Sequence, residues 1–496
     1  MPTGSGSPAR RTPASSTSPS RRPRPSSATT PGPSTSLPGE ASTGRTDRGL
    51  TVGLILLVTI LATDTLAVVA AMPIVEAELG GRGLYGAVFS AFVLAEVVSI
   101  VMTGHQVGRR PHHHLLLFGV SVFAAGLVGA AVSTSMAMLV ATRAVQGFGA
   151  GVLGTVSYGM VGLAFDDARR PRILAALSTA WVAPALVAPA GAAWVAEHLH
   201  WRWVFAGLLP LVAVATALTY LPMSRVEAVE PNGDRTAGTR NAVLLALGIA
   251  LLQTGLSRPE PWIMLPVGAA GLWAVIRGLG RLLPSGSLTA RGPIGGTMAT
   301  KLLISTVFIG TDAFIPLALT DIHGASATAA GLTLTIGALA WTVGSWTVAR
   351  RDGVWPERRM AVSGALILGA ATGVLLATLD GSLPGVGLAL VAWTVGGFGI
   401  GLAFGVVNVV AYRESTDAEA GHISMSLQLG DIVGAALGTG LGGALVALGS
   451  EQGWSTGRAL LIWWGFLAVA ALAGAPLVTR HIPDRPAPRS VPVSAS

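Results

Sequence analysis

The sequence contains no cysteine and few charged residues. Without cysteine, the chain can form neither a disulfide bond nor a thiolate metal site. Charged residues make up only 11% of the 496 residues, against roughly 25% in a typical soluble domain, and hydrophobic residues make up 51%. A chain with this balance has too little charge to cover a water-exposed surface. We therefore expect lipid to surround most of it.

Several enzyme motifs are also missing. The sequence has no Gly-x-Ser-x-Gly elbow, no His-Glu-x-x-His pair and no Gly-x-x-x-x-Gly-Lys phosphate loop, which argues against ATP-driven pumping by this chain. His112, His113 and His114 are consecutive, but consecutive side chains point around a helix rather than to one face. We predict that these histidines lie in water at the cytoplasmic edge of the membrane. We predict no metal, cofactor or nucleic-acid partner.

Fourteen apolar stretches lie between residues 49 and 480. A helix rises about 1.5 Å per residue, so about twenty apolar residues cross the roughly 30 Å hydrocarbon core of a bilayer. The 65 glycines suit close contacts between helices, because lipid supplies no hydrophobic drive for helix association. We predict an all-α polytopic membrane protein with fourteen spans, present as a monomer in the bilayer.

The arginines predict the orientation of these spans. Twenty-one arginines near the predicted membrane surface fall on one set of alternate loops and on the tails, whereas four fall on the other set. Basic loops usually stay on the cytoplasmic side. We therefore predict a multi-pass protein of the cell (inner or plasma) membrane with both termini in the cytoplasm.

The two halves of the chain contain similar short sequences in the same order. Residues 147–151 read GFGAG and residues 397–401 read GFGIG, while Thr63-Asp64 and Thr311-Asp312 recur at nearly the same separation. Parallel repeats of this kind build many secondary transporters, whose substrate site lies between the halves.

Composition and repeats together divide the chain. The first segment is rich in Ser, Pro, Thr and Arg and cannot bury enough apolar surface to offset its ordering entropy. The predicted segments are a disordered cytoplasmic tail at 1–48, a six-helix bundle at 49–222, a central loop with two extra helices at 223–293, a second six-helix bundle at 294–479 and a cytoplasmic tail at 480–496.

Two motifs resemble those of a known family. Span four begins ATRAVQGFGAG, which resembles the Arg-x-x-Gln-Gly motif of the major facilitator superfamily, with Arg143, Gln146 and Gly147 on its positions. Span five contains WVAPALVAPAGAAW, which is similar to the antiporter motif of that superfamily's drug exporters, with Pro189 and Gly191 on its Pro and Gly. The resemblance implies the 14-span drug:proton antiporter branch, with two six-helix bundles, two inserted central helices and a proton gradient as energy source.

The sequence departs from the family pattern in two places. The loop after span two reads GHQVGRRP, where the family signature is Gly-x-x-x-Asp-Arg-x-Gly-Arg-Arg, so the loop is shortened and lacks the carboxylate. Gly104, Arg109 and Arg110 remain as the residues of a cytoplasmic gate. In the antiporter motif, Ala188 replaces the usual glycine.

Acids within the spans are the candidates for proton coupling. A charge at the bilayer centre costs about 2.5 to 3.5 kcal/mol on insertion scales, and such residues usually face the bundle interior. We predict proton-coupling roles for Asp64, Glu96, Asp312 and Asp431. The alternative is a structural acid that bonds to a neighbouring helix. Lys301 is set aside because it lies near a span edge.

Other side chains are candidates for the motif function and the substrate cavity. Arg143 is expected beside the acids, and the alternative is an arginine whose side chain extends to the membrane interface. Pro189 and Gly191 are expected to bend span five, either as a hinge or as a static kink. A cavity for a bulky ligand needs apolar walls and a few polar groups. Its candidate residues are the aromatic Trp181, Phe314, Trp341, Trp393 and Phe404 and the polar Asn408 and Gln428.

The leading interpretation is a secondary active transporter, not an enzyme. It would export amphipathic small molecules such as drugs and antibiotics in exchange for protons, by alternating access, and so confer antibiotic resistance. A second interpretation keeps the fold and changes the cargo to a lipid or an endogenous metabolite. A third is a polytopic membrane enzyme or sensor, although an enzyme would need polar clusters at the membrane interface, whereas these acids lie within the spans.

Overall fold

A computed structural model describes residues 40–104, 106, 111–165, 173, 176–177, 180–225, 236–351, 355–381, 384–414 and 420–483. By its internal contacts the chain divides into two units, Met1–Arg45 and Thr46–Ser496, and the second holds the sites discussed below. The first helix begins at Glu40, inside the segment predicted to be disordered. Residues 1–39 and the end of the C-terminal tail lie outside the described residues.

The helices of the first half and of the central insertion, singly or joined, form segments long and apolar enough to cross a membrane. They are α1 Glu40–Leu79, α2 Tyr85–Gly104, α3 His112–Ala131, α4 Met136–Ala164, α5 Val182–Val195, α6 Arg202–Ala206, α7 Leu209–Met223, α8 Thr236–Leu256 and α9 Pro261–Leu282.

The second half repeats this arrangement. Its helices are α10 Gly292–Asp312, α11 Ile315–His323, α12 Ala327–Arg351, α13 Glu357–Leu375, α14 Gly385–Arg413, α15 Ala420–Glu451 and α16 Thr456–Val478. Short 3-10 turns lie at Arg82–Leu84, Ser287–Thr289, Leu376–Thr378 and Thr479–His481.

Fourteen segments of the described residues are long and apolar enough to cross a membrane. The same residues contain no β-strand. Both findings confirm the predicted fold class, an all-α polytopic membrane protein with fourteen spans.

Two of the spans are broken within their length. The span Gly292–His323 consists of α10 and α11, and the helix is interrupted just after Asp312. Pro316 lies in the first turn of α11. Because proline has no backbone N–H and is accommodated at a helix start, the helix restarts there rather than continuing. In the same way, Pro210 opens α7 after the short helix α6.

The helix contacts reproduce the internal repeat. In the first half α4 packs against α2 and α3, and in the second half α14 packs against α12 and α13. Between the halves, α2 packs against α15 and α5 packs against α12. Since α2 corresponds to α12 and α5 to α15, the repeat relates these two contacts to each other. The inserted helices α8 and α9 pack on each other, and α8 also contacts α2 and α15. The halves therefore meet along two related helix pairs, and the insertion covers one of them.

Candidate functional site

The first half holds a buried ion pair between α1 and α4. Arg143 Nη1 donates a hydrogen bond to Asp64 Oδ2 over 2.9 Å, and Gln146 Nε2 donates to Asp64 Oδ1 over 2.7 Å. Arg143 Nη1 also donates to Gln146 Oε1 over 2.8 Å. Asp64 is 1% exposed and Arg143 2% exposed, so Arg143 does not extend to the membrane interface. We call Asp64, Arg143 and Gln146 the first-half cluster.

Tight packing of α4 on α2 holds this cluster in place. Arg143 and Gln146 are three residues apart and therefore share one face of α4. The next residue, Gly147, faces the backbone of Phe92 on α2, where a Cβ atom would not fit. The guanidinium carbon of Arg143 lies 4.1 Å from the centre of the Phe92 ring, which adds a cation–π contact. The three motif residues thus fix the position of a charged side chain in the bundle interior.

Glu96 lies on α2, close enough to Arg143 and Asp64 for their charges to interact. Its backbone packs against Gly151 of α4. Within the part of the chain that the structure describes, its carboxyl group makes no hydrogen bond or ion pair. A structural interhelical bond, the alternative for Glu96, is therefore absent among these residues.

In the second half, one face of α10 carries a stripe of functional side chains. Lys301, Ser305, Phe308 and Asp312 follow each other at spacings of four, three and four residues. Residues three and four apart in a helix lie on the same face. The stripe therefore points toward one set of neighbours, which belong to α12, α14 and α15.

Asp312 ends α10 at the break in the ninth span. Trp393 Nε1 on α14 donates a hydrogen bond to Asp312 Oδ1 over 2.7 Å, and Asp312 is 9% exposed. Among the described residues no cationic side chain pairs with it. A carboxyl group held only by a neutral donor can gain or lose a proton without leaving a buried cation unpaired.

A row of aromatic rings leads from Asp312 across α10, α12 and α14. The rings of Trp393 and Phe308 stack with centroids 4.8 Å apart, and Trp341 meets Phe308 edge-on at 5.0 Å. Phe404 meets Trp341 edge-on at 5.0 Å. We call these four side chains the aromatic row. Trp341, a predicted cavity residue, stands near its middle and remains partly exposed.

The far end of the aromatic row meets a second ion pair. Lys301 Nζ lies 2.9 Å from Asp431 Oδ2 and donates a hydrogen bond to Asn408 Oδ1 over 3.2 Å. It also lies 3.1 Å from the centre of the Phe404 ring. Ser305 Oγ donates to Asp431 Oδ1 over 2.7 Å. We call Lys301, Asp431, Asn408, Phe404 and Ser305 the second-half cluster.

Glycines of α15 allow this second pair to form. Gly434 faces Ser305, and Gly438 faces Gly310, so α15 approaches α10 closely over the two turns that follow Asp431. Such approach is what small residues permit in a membrane bundle. The sequence indicated that a glycine-rich helix could carry Asp431 close to a neighbour, and the structure identifies α10 as that neighbour.

Lys301 is the residue that the sequence interpretation missed. It was set aside as lying near a span edge, but the structure places it in the interior, 1% exposed, with Asp431 as its partner. Its residue type could have indicated a role in the bundle interior. It is the only lysine in the chain and falls within a predicted span.

The proline-containing helix α5 contributes to the contact between the halves. The backbone carbonyl of Pro189 and the side chain of Ala193 face Gly331 on α12. Gly191, in contrast, has only Val187 of its own helix within reach of a Cβ atom. The close approach is therefore provided by Gly331 in the other half. Trp181 precedes α5 and its side chain is exposed.

The halves also touch at the end of the bundle opposite the start of the first span and the end of the last span, which we call the distal end. Arg82 pairs with Asp321 at 2.5 Å and donates a hydrogen bond to Thr456 over 2.6 Å. Glu197 accepts hydrogen bonds from the backbone N–H groups of Ala327 and Thr328 at the start of α12, over 3.0 and 3.3 Å. A helix start carries unsatisfied N–H groups, so this carboxylate caps α12 from the other half.

Close backbone contacts reinforce the distal end. Gly86 of α2 lies directly against Gly443 of α15. Phe314, predicted to line the cavity, is instead fully buried there and packs on Tyr85 with ring centroids 5.8 Å apart. A surface cavity of about 400 Å³ opens beside Arg82 at this end, away from both clusters.

The remaining predicted residues have the following positions. Gln428 lies on α15, one turn before Asp431, and Gly104 ends α2. Arg109 and Arg110 lie outside the described residues, so the gate prediction rests on the sequence alone. His112 is buried rather than solvated, which corrects the prediction of a solvated edge for that residue. It is the first residue of α3, a helix that packs against α4.

The arrangement brings proton-binding groups and apolar walls into one interior. Each half contains a buried cation paired with an aspartate, and the second half adds a separate acid at the other end of a row of aromatic rings. Charged groups in such positions in membrane proteins commonly mark pathways for ions, protons or substrates. The halves are in contact at the distal end.

Comparison with known proteins places this architecture in a family. The model of the Major Facilitator Superfamily matches residues 53–426. The chain is 25% identical over 451 residues to a probable multidrug-efflux transporter of Mycobacterium tuberculosis strain H37Rv, which covers 87% of the chain and 94% of the relative.

Two further matches agree with this result. The multidrug efflux pump SdrM of Staphylococcus aureus strain N315 is 24% identical over 298 residues, covering 58% of the chain and 66% of the pump. A crystal structure of a D-xylose-proton symporter shares the fold with a TM-score of 0.60 at 12% identity, covering 88% of the chain and 98% of the symporter.

Proposed function

The chain belongs to the major facilitator superfamily, a family of transporters and not of enzymes, and on that premise we propose that it exports amphipathic small molecules in exchange for protons. The family and the fourteen spans make it a multi-pass membrane transporter. Its relatives named as multidrug-efflux proteins support drugs or antibiotics as the cargo class.

The aromatic row carries the proposal. It offers apolar and π-bonding surface to a bulky cargo, and it ends at Asp312 on one side and at the Lys301 and Asp431 pair on the other. Apolar walls with a few convergent polar groups are the usual make-up of a small-molecule site. In this proposal the carboxyl groups of Asp312 and Asp431 exchange protons as cargo binds beside them.

The arginine asymmetry of the loops supports a cell-membrane location with both termini in the cytoplasm. In that orientation the distal end faces the outside. In this proposal the contacts of Arg82 and Glu197 close the outer side during one state of an alternating-access cycle. Asp64 acts as an auxiliary acid, because Arg143 and Gln146 hold both of its oxygens.

The test is uptake of a neutral amphipathic dye, N-phenyl-1-naphthylamine, into proteoliposomes with an acidic lumen. Wild type should concentrate the dye, and the Asp312→Asn and Asp431→Asn variants should lose uptake driven by the pH gradient. An amide keeps the acceptor oxygen for Trp393 or Ser305 but does not titrate, so both variants should fold. Dye binding should stay within roughly tenfold of wild type, or about 1.4 kcal/mol.

Glu78→Gln is the matched control, because Glu78 is a carboxylate paired with Arg202 at 2.7 Å within the first half, outside both clusters. That variant should transport like wild type. If both aspartate variants still concentrate the dye against its gradient, the coupling role assigned to these acids is wrong.

A further inference from the structure

The second-half cluster differs from an ordinary ion pair in the surroundings of its two members. The Lys301 side chain is 1% exposed, whereas the Asp431 side chain is 35% exposed. Charged side chains within membrane spans almost always face the bundle interior or a water-filled cavity, because exposure to lipid is costly. The accessible side of Asp431 therefore faces the interior of the helix bundle rather than lipid, and Lys301 lies on its other side.

The ammonium group has partners besides Asp431. Asn408 Oδ1 accepts a hydrogen bond from it, and the ring of Phe404 lies beneath it at 3.1 Å. An amide oxygen and an aromatic face are both favourable partners for a cation in a dehydrated site. Lys301 therefore keeps two neutral partners for its ammonium group when the carboxylate of Asp431 binds another cation.

Asp431 also has a neutral partner. Ser305 donates to Oδ1, whereas the lysine approaches Oδ2, so the two contacts occupy different oxygens. A second cation that approaches from the open side can reach Oδ2 while Ser305 keeps the carboxylate in position. In the first-half cluster no such exchange is possible, since Asp64 is closed on all sides by Arg143 and Gln146.

We propose that Lys301 is a displaceable internal counter-ion that selects cargo by charge. In the empty transporter it neutralises Asp431, and a cationic cargo binds by taking its place at the carboxylate while the ammonium stays on Asn408 and Phe404. The apolar part of the cargo lies against the exposed portion of Trp341 in the aromatic row. This inference rests on the proposed export function and names the cargo class of the same site, bulky organic cations.

The test uses two ions with nearly the same shape and opposite charge, tetraphenylphosphonium and tetraphenylborate. Their dissociation constants are measured on purified full-length protein in lipid nanodiscs at pH 8, where a free carboxyl group is ionised. The readout is the ratio of the two constants, because a merely structural role of Lys301 would change both affinities together.

Lys301→Met keeps the length of the side chain and removes its charge. It should shift the ratio about tenfold in favour of the cation, because the cation no longer competes with the lysine. Asp431→Asn should shift the ratio about tenfold in favour of the anion, because Lys301 loses its neutralising partner. The double variant Lys301→Met with Asp431→Asn should return to within about threefold of wild type.

Asn408→Leu tests the second position of the ammonium without changing any charge. Because the displaced lysine then loses its amide partner, tetraphenylphosphonium should bind severalfold more weakly and tetraphenylborate should be unaffected. This variant and Asp431→Asn decide the question if Lys301→Met does not fold. Glu78→Gln, which neutralises a paired carboxylate elsewhere, should leave the ratio within about twofold of wild type.

A ratio for folded Lys301→Met within about twofold of wild type would overturn the proposal, as would wild-type protein that does not bind tetraphenylphosphonium. Neither result bears on gradient-driven transport of the neutral dye, which tests the export function by itself. Conversely, charge selection that shifts as expected in a protein that fails to concentrate the dye would overturn the export function alone.

Discussion

The two halves of the molecule share a helix arrangement but hold their charges in opposite ways. In the first half, the first helix supplies the acid, Asp64, and the fourth helix supplies the base, Arg143. In the second half, the first helix supplies the base, Lys301, and its acid comes from α15. The helix equivalent to α4 is α14, and it supplies only neutral groups to this cluster, the Asn408 amide and the Phe404 ring.

The halves also differ in how completely the acid is enclosed and how many of its oxygens are held by hydrogen bonds. Both oxygens of Asp64 accept hydrogen bonds from α4, and the whole cluster is enclosed. Asp431 is partly open, and Asp312 has a neutral donor as partner. A repeated fold has therefore acquired one half with a fixed charge cluster and one half with exchangeable charges. We expect the first half to behave as the scaffold and the second half to carry proton and cargo chemistry.

The largest expected effect comes from locking the halves together at the distal end. A Cβ atom on Gly83 would lie 3.6 Å from the Cβ of Ala447 on α15, within the range of about 3.5 to 4.5 Å found in disulfides. Because the chain has no cysteine of its own, the double variant Gly83→Cys with Ala447→Cys should form one defined cross-link. Oxidation should abolish transport, and reduction should restore it.

A cross-link within one half is the matched control for this variant. A Cβ atom on Gly373 would lie 4.0 Å from the Cβ of Ala468, and both positions belong to the second half. Oxidised Gly373→Cys with Ala468→Cys should still transport. Normal transport by the fully cross-linked Gly83 and Ala447 variant would show that the distal contact does not open during the cycle.

The next largest effect tests the contrast between an enclosed and an open cluster. Arg143→Met leaves Asp64 buried without a cation, and breaking a buried pair in this way costs about 3 to 5 kcal/mol. Lys301→Met leaves Asp431 with Ser305 and partial access to water, so its cost should be nearer about 1 to 3 kcal/mol. The measurement is the free energy of unfolding in mixed micelles for the two variants.

The double variant Arg143→Met with Asp64→Asn should recover much of the lost stability, because the remaining amide can bond to Gln146 without a charge. If Arg143→Met and Lys301→Met lower the free energy of unfolding equally, the first half is no more of a scaffold than the second.

The sequence alone predicted the first-half cluster better than the second. Arg143 and Gln146 stand on a recognisable motif three residues apart, and a buried acid in α1 needs a partner. The fourteen spans, the repeat and the family were also readable, since hydropathy and spacing determine them. These features are local or periodic, so a one-dimensional pattern carries them.

The second-half cluster depends on contacts that no local pattern encodes. Asp431 meets Lys301 because glycines of α15 allow close approach to α10, and the partner of each residue is more than a hundred positions away. Lys301 lies only a few residues from the start of its predicted span, which suggested a position near the membrane surface. The ninth span, Gly292–His323, is 32 residues long, so the tenth residue of α10 already lies well inside the bundle.

The smallest expected effect concerns the polar contacts by which the first half holds the distal end. The side chains of Arg82 and Asp321 are 29% and 36% exposed, and exposed ion pairs contribute only about 0 to 1 kcal/mol. Loss of the helix cap formed by Glu197 costs on the order of 1 kcal/mol. Arg82→Met and Glu197→Ala should each raise the labelling rate of a single cysteine, Ala447→Cys, by about two- to fivefold with an impermeant maleimide, since about 1.4 kcal/mol is tenfold. Glu78→Gln should not change this rate. A rise of more than tenfold in either variant would mean that charged side chains of the first half, and not the backbone contact of Gly86 with Gly443, hold the distal end closed.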